Sequence, residues 1–437
     1  MPLKRIHTMH PYRILLWLRD RRNLVWTTPA AASVIAVAMA FGAAAGNVWL
    51  PPDVLPDITS ETLESLLGVL ATSMLTVTTF SLAVMVSAFA AASTGTTPRA
   101  LELVMGDDIT RLAIASFIAA FIYSIIAKTA IGLSYYGQNG RFILFLCTVL
   151  VLAYLIVTLI LWVKALTRLG RLDNTLEKIE GATRKALDAL RASATMGANA
   201  SPDPLPPGNE VIAEQVGYLT HIDMASLQEL AEEAGSYIHV RIRPGSLVSP
   251  GICLAVSESA DAPLLQNIFE AFVLGSERSY DQDPRFGLIV LSETAQRALS
   301  PAINDPGTAI QVMTIMTRLL LGNPEMSERH PPQKFDRISM IELDQAALVS
   351  DGFDPISRDG AGMLEVGVRM QKLLHVIAKN CNPVIAKAAI AQAHVAMQRA
   401  MKRFEIERDV RLLSETHKAL FGDGDGEDHL AASRDTQ

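Results

Sequence analysis

Four stretches of the chain stay apolar long enough to cross a bilayer as a helix, which takes roughly 20 residues. They run from Thr28 to about Leu50, from Leu66 to Ala92, from Leu112 to about Tyr135, and from Phe142 to Val163. Only Tyr136 to Arg141 separates the last two, so the pattern predicts a tight turn there. Past residue 165 the continuous apolar runs stop. Hydrophobic positions then recur at the spacing of amphipathic helices and strands. The pattern predicts an α-helical membrane protein with four transmembrane helices, followed by an α+β domain. The expected boundaries are 1–27 for a basic N-terminus, 28–163 for the transmembrane domain, 164–200 for a helical stalk and linker, 201–420 for the α+β domain, and 421–437 for a disordered acidic tail.

Charge gives these spans a direction. Lys4, Arg5, Arg13, Arg19, Arg21 and Arg22 precede the first span, and Lys164, Arg168 and Arg171 follow the fourth. The loop between spans one and two has no Lys or Arg and carries Asp53, Asp57, Glu61 and Glu64. Basic residues stay on the cytoplasmic side of an inner membrane. Both termini and the α+β domain are therefore expected to be cytoplasmic, in a bacterial inner-membrane protein. The first 27 residues do not read as a cleaved leader, because the apolar stretch after them is long enough to span and no clear small-residue cleavage site is followed by a soluble mature chain. Tyr12 to Arg22 reads as a positive anchor, with an interfacial amphipathic helix as the alternative.

Span two carries an unusual number of hydroxyls. At 100° per residue, Thr72, Thr76, Thr79, Ala83, Ser87, Ala90 and Thr94 fall within about 80° of one another. Leu75, Phe80, Leu82, Val84, Met85 and Phe89 fall outside that stripe. Small hydroxylated faces let transmembrane helices approach closely. The same face could line a water-filled path between subunits. Candidate pore-lining residues are therefore Thr72, Thr76, Thr79 and Ser87. Span three holds Lys128, the one charged residue in any span. A cation there is a functional candidate, although it stands near the span's end, where a lysine can reach the interface.

In the second half, a helix is expected to leave the membrane through Leu166, Leu169, Leu172, Leu176, Ile179, Ala186 and Leu190, with a loop from Gly197 to Gly208. Asp223 should cap a helix that Gly235 stops. Tyr237 to Ile242 and Ile252 to Val256 read as strands of a hairpin-like element around Leu247 and Val248. Gly360 to Leu420 reads as two long helices broken at Asn382-Pro383. The densest polar block is 278–308. Within it Asp281, Asp283, Arg297, Asn304 and Asp305 form a candidate site for a small ligand or ion. The competing reading is capping, since Asp-Pro is a helix start signal, and it applies to Asp283, Asp305 and Asp354.

Composition removes several classes. A formal net charge of −7 lacks the basic footprint of a nucleic-acid binder. Cys147, Cys253 and Cys381 have no metal-ligand or disulfide spacing. His375 and His394 lie on helices without ligand spacing. No Walker loop, nucleophile elbow, zinc helix or calcium loop is present. No cofactor, no metal and no catalytic residue is expected.

Several blocks resemble a family of bacterial predicted membrane proteins, domain of unknown function twenty-two fifty-four. They are the Ser/Thr-rich second span followed by Thr97-Pro98-Arg99-Ala100-Leu101 and Asp107-Asp108; Phe117 and Phe121-Ile122-Tyr123; and Gly217-Tyr218, Ile222-Asp223 and Arg243-Pro244-Gly245. The most specific are Gln282-Asp283-Pro284, Phe286-Gly287, Arg297 to Pro301, and Asn304-Asp305-Pro306. Where the family has Ser before Pro-Arg, this chain has Thr97. The resemblance implies four spans with a cytoplasmic domain and implies no activity. Two functions follow as expectations: an oligomeric channel-like protein with a cytoplasmic regulatory domain, or a membrane-anchored ligand-sensing or scaffolding protein. The expected partners are the lipid bilayer, further copies of the chain, and a small ligand or ion.

Overall fold

The computed structural model describes residues 21–45, 55–95, 97–105, 108–167, 171–322 and 334–422. The segments 1–20, 46–54 and 323–333 and the tail 423–437 lie outside the described residues. The chain divides into two compact units, 1–175 and 176–437.

The first unit is helical: α1 (Arg21–Gly42), a 3-10 turn (Ala43–Ala45), α2 (Ser60–Gly95), α3 (Pro98–Met105), α4 (Asp108–Gly132) and α5 (Gln138–Leu166). Three of these are long and apolar enough to cross a membrane, over Ser60–Ala90, Ile109–Gly132 and Gln138–Leu166. The apolar part of α1, Thr27–Gly42, is shorter. The expected continuation of that stretch to Leu50 falls outside the described residues. The expected turn from Tyr136 to Arg141 is also shorter than its sequence suggests, because Gln138 to Arg141 already form the first turn of α5.

Helix α4 is the centre of this unit. Of its apolar window 56% is buried, against 28% for α2 and 22% for α5. Its small residues explain why. Ala113, Ala120, Ala127 and Ala130 are buried and let α1, α2 and α5 approach. Phe117 and Trp162 pack edge to face at 6.1 Å. Hydroxyl pairs tie α4 to α5, Tyr123 to Thr148 at 3.0 Å and Ser116 to Tyr154 at 2.8 Å. At the start of α5, Arg141 reaches back to Asp57 at 2.6 Å and donates to the Ile58 carbonyl, while Gln138 donates to the Leu55 carbonyl.

The second unit begins within α6 (Leu172–Ala192). Leu176, Ile179, Ala186 and Leu187 of α6 are buried. The expected loop from Gly197 to Gly208 contains β1 (Ala198–Ala200). It is too short to show alternation, so only its parallel pairing with a distant strand defines it. There follow β2 (Asn209–Ile212), β3 (Gly217–Ile222), α7 (Met224–Glu233), β4 (Ile238–Val240), β5 (Leu247–Val248), β6 (Cys253–Ser257), α8 (Ala262–Glu270) and β7 (Phe272–Gly275). Then come α9 (Pro284–Ala298), α10 (Pro306–Leu321), β8 (Phe335–Met340), α11 (Ala346–Asp359), α12 (Leu364–Asn380), α13 (Pro383–Met401) and α14 (Glu407–Phe421). One sheet has the order β1-β8-β4-β6-β2 and the other β5-β3-β7. The hairpin expected around Leu247 is β4 with β6, while β5 leaves it to pair with β3.

Asp223 caps α7 by accepting from Ser226 N, and Gly235 follows the helix at φ +57°. Helices α9 to α14 pack into a bundle. The region expected to hold two long helices holds three. Asn382 caps α13 as its Asn-Pro pair suggests. The break after Met401 carries neither Gly nor Pro, so nothing in the pattern announced it. Asp354 corrects a second expectation. It is not a helix start, because Pro355 sits inside α11. Its carboxylate instead pairs with Arg399 of α13 at 2.8 Å, and Arg399 also donates to the Asp354 carbonyl and the Ser357 hydroxyl.

Candidate functional site

The hydroxyl face of α2 is set by what the helix buries. Leu63, Leu67, Leu70, Met74, Thr78 and Ser81 face the unit's core. Thr72, Thr76, Thr79, Ala83, Ser87 and Ala90 are exposed. At 100° per residue the centres of the two arcs lie about 180° apart. Among the described residues, the stripe therefore points away from the core that α2 packs against. Its hydroxyls are satisfied within the helix: Thr72 donates to the Gly68 carbonyl, Thr76 to Thr72, and Thr79 to Leu75 and Thr76, at 2.9–3.0 Å.

Lys128 reaches the same surface from α4. It is exposed, and its ammonium lies where a Cβ on Gly68 would stand 3.2 Å away. Gly68 precedes Thr72 by one turn, so the lysine head rests beside the end of the stripe. The glycine makes room for it.

The polar block 278–308 does not converge on one place. Asp281 and Asp283 stand before α9, and Arg297, Asn304 and Asp305 stand at or beyond its other end. A helix of 15 residues separates them, about 22 Å of rise. Asp305 caps α10. It accepts from Thr308 N at 3.1 Å and from the Thr308 hydroxyl at 2.6 Å, and these bonds hold its carboxyl below the usual range. Asn304 takes φ +52°, a left-handed conformation that Asn tolerates better than most residues. It makes the turn that returns the Asp305 amide to the Ala298 carbonyl.

Asp283 caps α9 through Arg285 N and Phe286 N, and it also does more. It is buried and ion-paired with Arg278 at 2.7 Å. Burial pushes its carboxyl up, while Arg278 and the two amides pull it back. Gly245, at φ +95°, presses its backbone against this pair, and a Cβ there would overlap the Asp283 carboxylate. Arg243, two residues earlier, is buried and donates to the carbonyls of Ala194 and Ile341, both at 2.8 Å. Gln282 acts as a side-chain strand partner, accepting from Ile222 N and donating to Ile222 O. Asp281 meets His221 at 3.2 Å. The three blocks Ile222-Asp223, Arg243 to Gly245, and Gln282 to Phe286 thus form one buried polar junction. Its donors and acceptors are matched to each other, which is what buried polar groups require.

Two further relays were not legible in the sequence, because their members lie far apart along it. In the first, His239 of β4 and Ser339 of β8 are register partners. Ser339 Oγ lies 2.7 Å from His239 Nδ1, and Glu258 lies 3.2 Å from Nε2. In the tautomer with the proton on Nε2, His239 donates to Glu258 and accepts from Ser339 at Nδ1. That is the polarity of a nucleophile relay. Both His239 and Ser339 are buried at 5% exposure, however, which leaves the hydroxyl closed to a substrate. The second relay joins α12, α13 and α14. Gln371 and His417 meet at 2.8 Å, and His417 and His394 at 3.1 Å. Among the described residues, no group of three or more His, Cys, Asp or Glu is placed to hold a metal ion.

The sequence profile of a family described as "Predicted membrane protein (DUF2254)" matches residues 22–376. An uncharacterised protein of Mycobacterium tuberculosis and another of Mycobacterium bovis are similar to the chain. Each is 26% identical over 416 residues, covering 89% of this chain and 78% of the relative. No solved structure matches. The matched span takes in the three long apolar helices, both sheets and the polar junction, and so the chain belongs to this family of predicted membrane proteins.

Proposed function

We infer that the protein is a multi-pass protein of a bacterial inner membrane with four spans and cytoplasmic termini, and that it acts as an oligomer in which α2 lines a water-filled path. On this reading the C-terminal region is the cytoplasmic regulatory part. One observation carries it: Thr72, Thr76, Thr79 and Ser87 point directly away from the core their own helix buries. A protomer that needed this face for its own packing would have turned it inward. The absence of acidic residues from the four apolar stretches fits a path that binds its solute weakly and argues against a proton relay. The basic N-terminus and acidic first loop support the orientation.

Single cysteines test the reading once Cys147, Cys253 and Cys381 are replaced. Cysteines at positions 72, 76 and 79 should react with an impermeant, water-soluble thiol reagent in proteoliposomes, and cysteines at 70 and 74 should not. Protection at all five positions would sink the water path. It would favour a membrane-anchored ligand-sensing or scaffolding protein whose α2 stripe packs against another copy or lipid.

A further inference from the structure

The C-terminal helix is held to the bundle by very little apolar surface. Leu413 is the one buried residue of α14, facing Gly367 of α12. His417 and Phe421 continue the same line at four-residue steps. Around Phe421 stand three imidazoles, His375 at 5.3 Å, His417 at 5.2 Å and His394 at 6.3 Å between ring centroids. The polar contacts at this joint have a fixed direction. Gln371 is fully buried and donates its amide to the Ala393 carbonyl. Its oxygen must therefore accept from His417 Nδ1. The other nitrogen of a neutral His417 is then an acceptor, so His394 Nδ1 donates to it. The remaining lone pair, on His394 Nε2, is buried and without a partner.

We propose that this joint is an acid-released latch, in which protonation of the histidine pair undocks α14 from α12 and α13. Nε2 of His417 is the acceptor that joins the two rings, and a proton placed on it while His394 keeps its Nδ1–H sets N–H against N–H. Among the described residues, the ionisable groups acting on these rings are cationic or imidazole and not carboxylate: His394 on His417 from α13, and Lys379 on His375 from α12.

Burial, with His394 adding to it, pulls the His417 ring down to about 4, and an undocked ring returns to about 6.5. The folded value is the lower one, so docking is fully supported above about pH 6.5 and weakens as pH falls toward 4. Those two values weaken the docking equilibrium about 10-fold at pH 5.5 and about 30-fold at pH 5.

Hydrogen exchange on the full chain in lipid nanodiscs tests this, with rates corrected for the pH dependence of intrinsic exchange. Protection of residues 407–421 should fall about 30-fold between pH 7.5 and pH 5, while α12 and α13 keep theirs. In His417→Gln, which cannot titrate and still offers Gln371 a donor, protection should not change over that range. Unchanged protection in the wild type, or an undiminished fall in His417→Gln, would overturn the proposal. Should His417→Gln already be undocked at pH 7.5, His394→Asn replaces it. Its amide can still donate to His417, so the fall with pH must persist, and a flat response would overturn the assignment to His417.

Discussion

At the scale of single residues, two aspartates that look alike in sequence separate by their surroundings. Asp305 is a helix cap at a part-exposed position, and Asp305→Ala should cost about 1 kcal/mol. Its carboxyl is held low, so its contribution is present at neutral pH and is lost as pH falls below the ordinary carboxylate range. Asp283 caps too, but it is also the buried counter-charge of Arg278. Asp283→Ala leaves that guanidinium unpaired and should cost about 3 kcal/mol. Exchange-detected unfolding of α9 and α10 measures both. Equal costs would mean that the ion pair adds nothing beyond the cap. The Asp-Pro spacing was enough to suggest the caps at 283 and 305. It also suggested one at Asp354, where packing against Arg399 has kept the helix running through Pro355.

At the scale of elements, glycines mark where backbones touch. Gly287 of α9 lies so close to Thr183 of α6 that any side chain would overlap the threonine hydroxyl. Gly287→Ala should destabilise the second unit by about 2 kcal/mol through overpacking. Thr183→Ala should recover only part of it, since the threonine Cβ would also stand within 2.7 Å. A double-mutant cycle on thermal unfolding reads that coupling, and strict additivity would contradict the contact. Elements with strong periodicity were legible: the long apolar helices, α7 with its Asp223 cap and Gly235 stop, and strands β4 and β6. Elements that exist through distant pairing were not. Strand β1 has three residues and is defined by β8, more than 130 positions away. The boundary between α13 and α14 has no turn chemistry to announce it. The candidate site was legible only in part for the same reason. A periodicity argument located the α2 stripe, while the histidine relays join residues with no common spacing.

At the scale of the whole molecule, the division at residue 175 makes a direct prediction. A fragment from Leu172 to Gly422 carries complete sheets, the polar junction and the helix bundle, and it should purify without detergent as a folded α/β protein. Aggregation of that fragment, or loss of its helical and strand signals in circular dichroism, would mean that the apolar helices complete its core. In the first unit, Thr72, Thr76 and Thr79 return their hydroxyl protons to their own helix. A face built that way meets acyl chains without stranding a donor, and it still shows oxygen lone pairs to water. The order of events in biogenesis follows from this. A newly inserted chain can diffuse alone in the bilayer with Thr72, Thr76 and Thr79 satisfied, so contact with other copies is not a condition of its insertion.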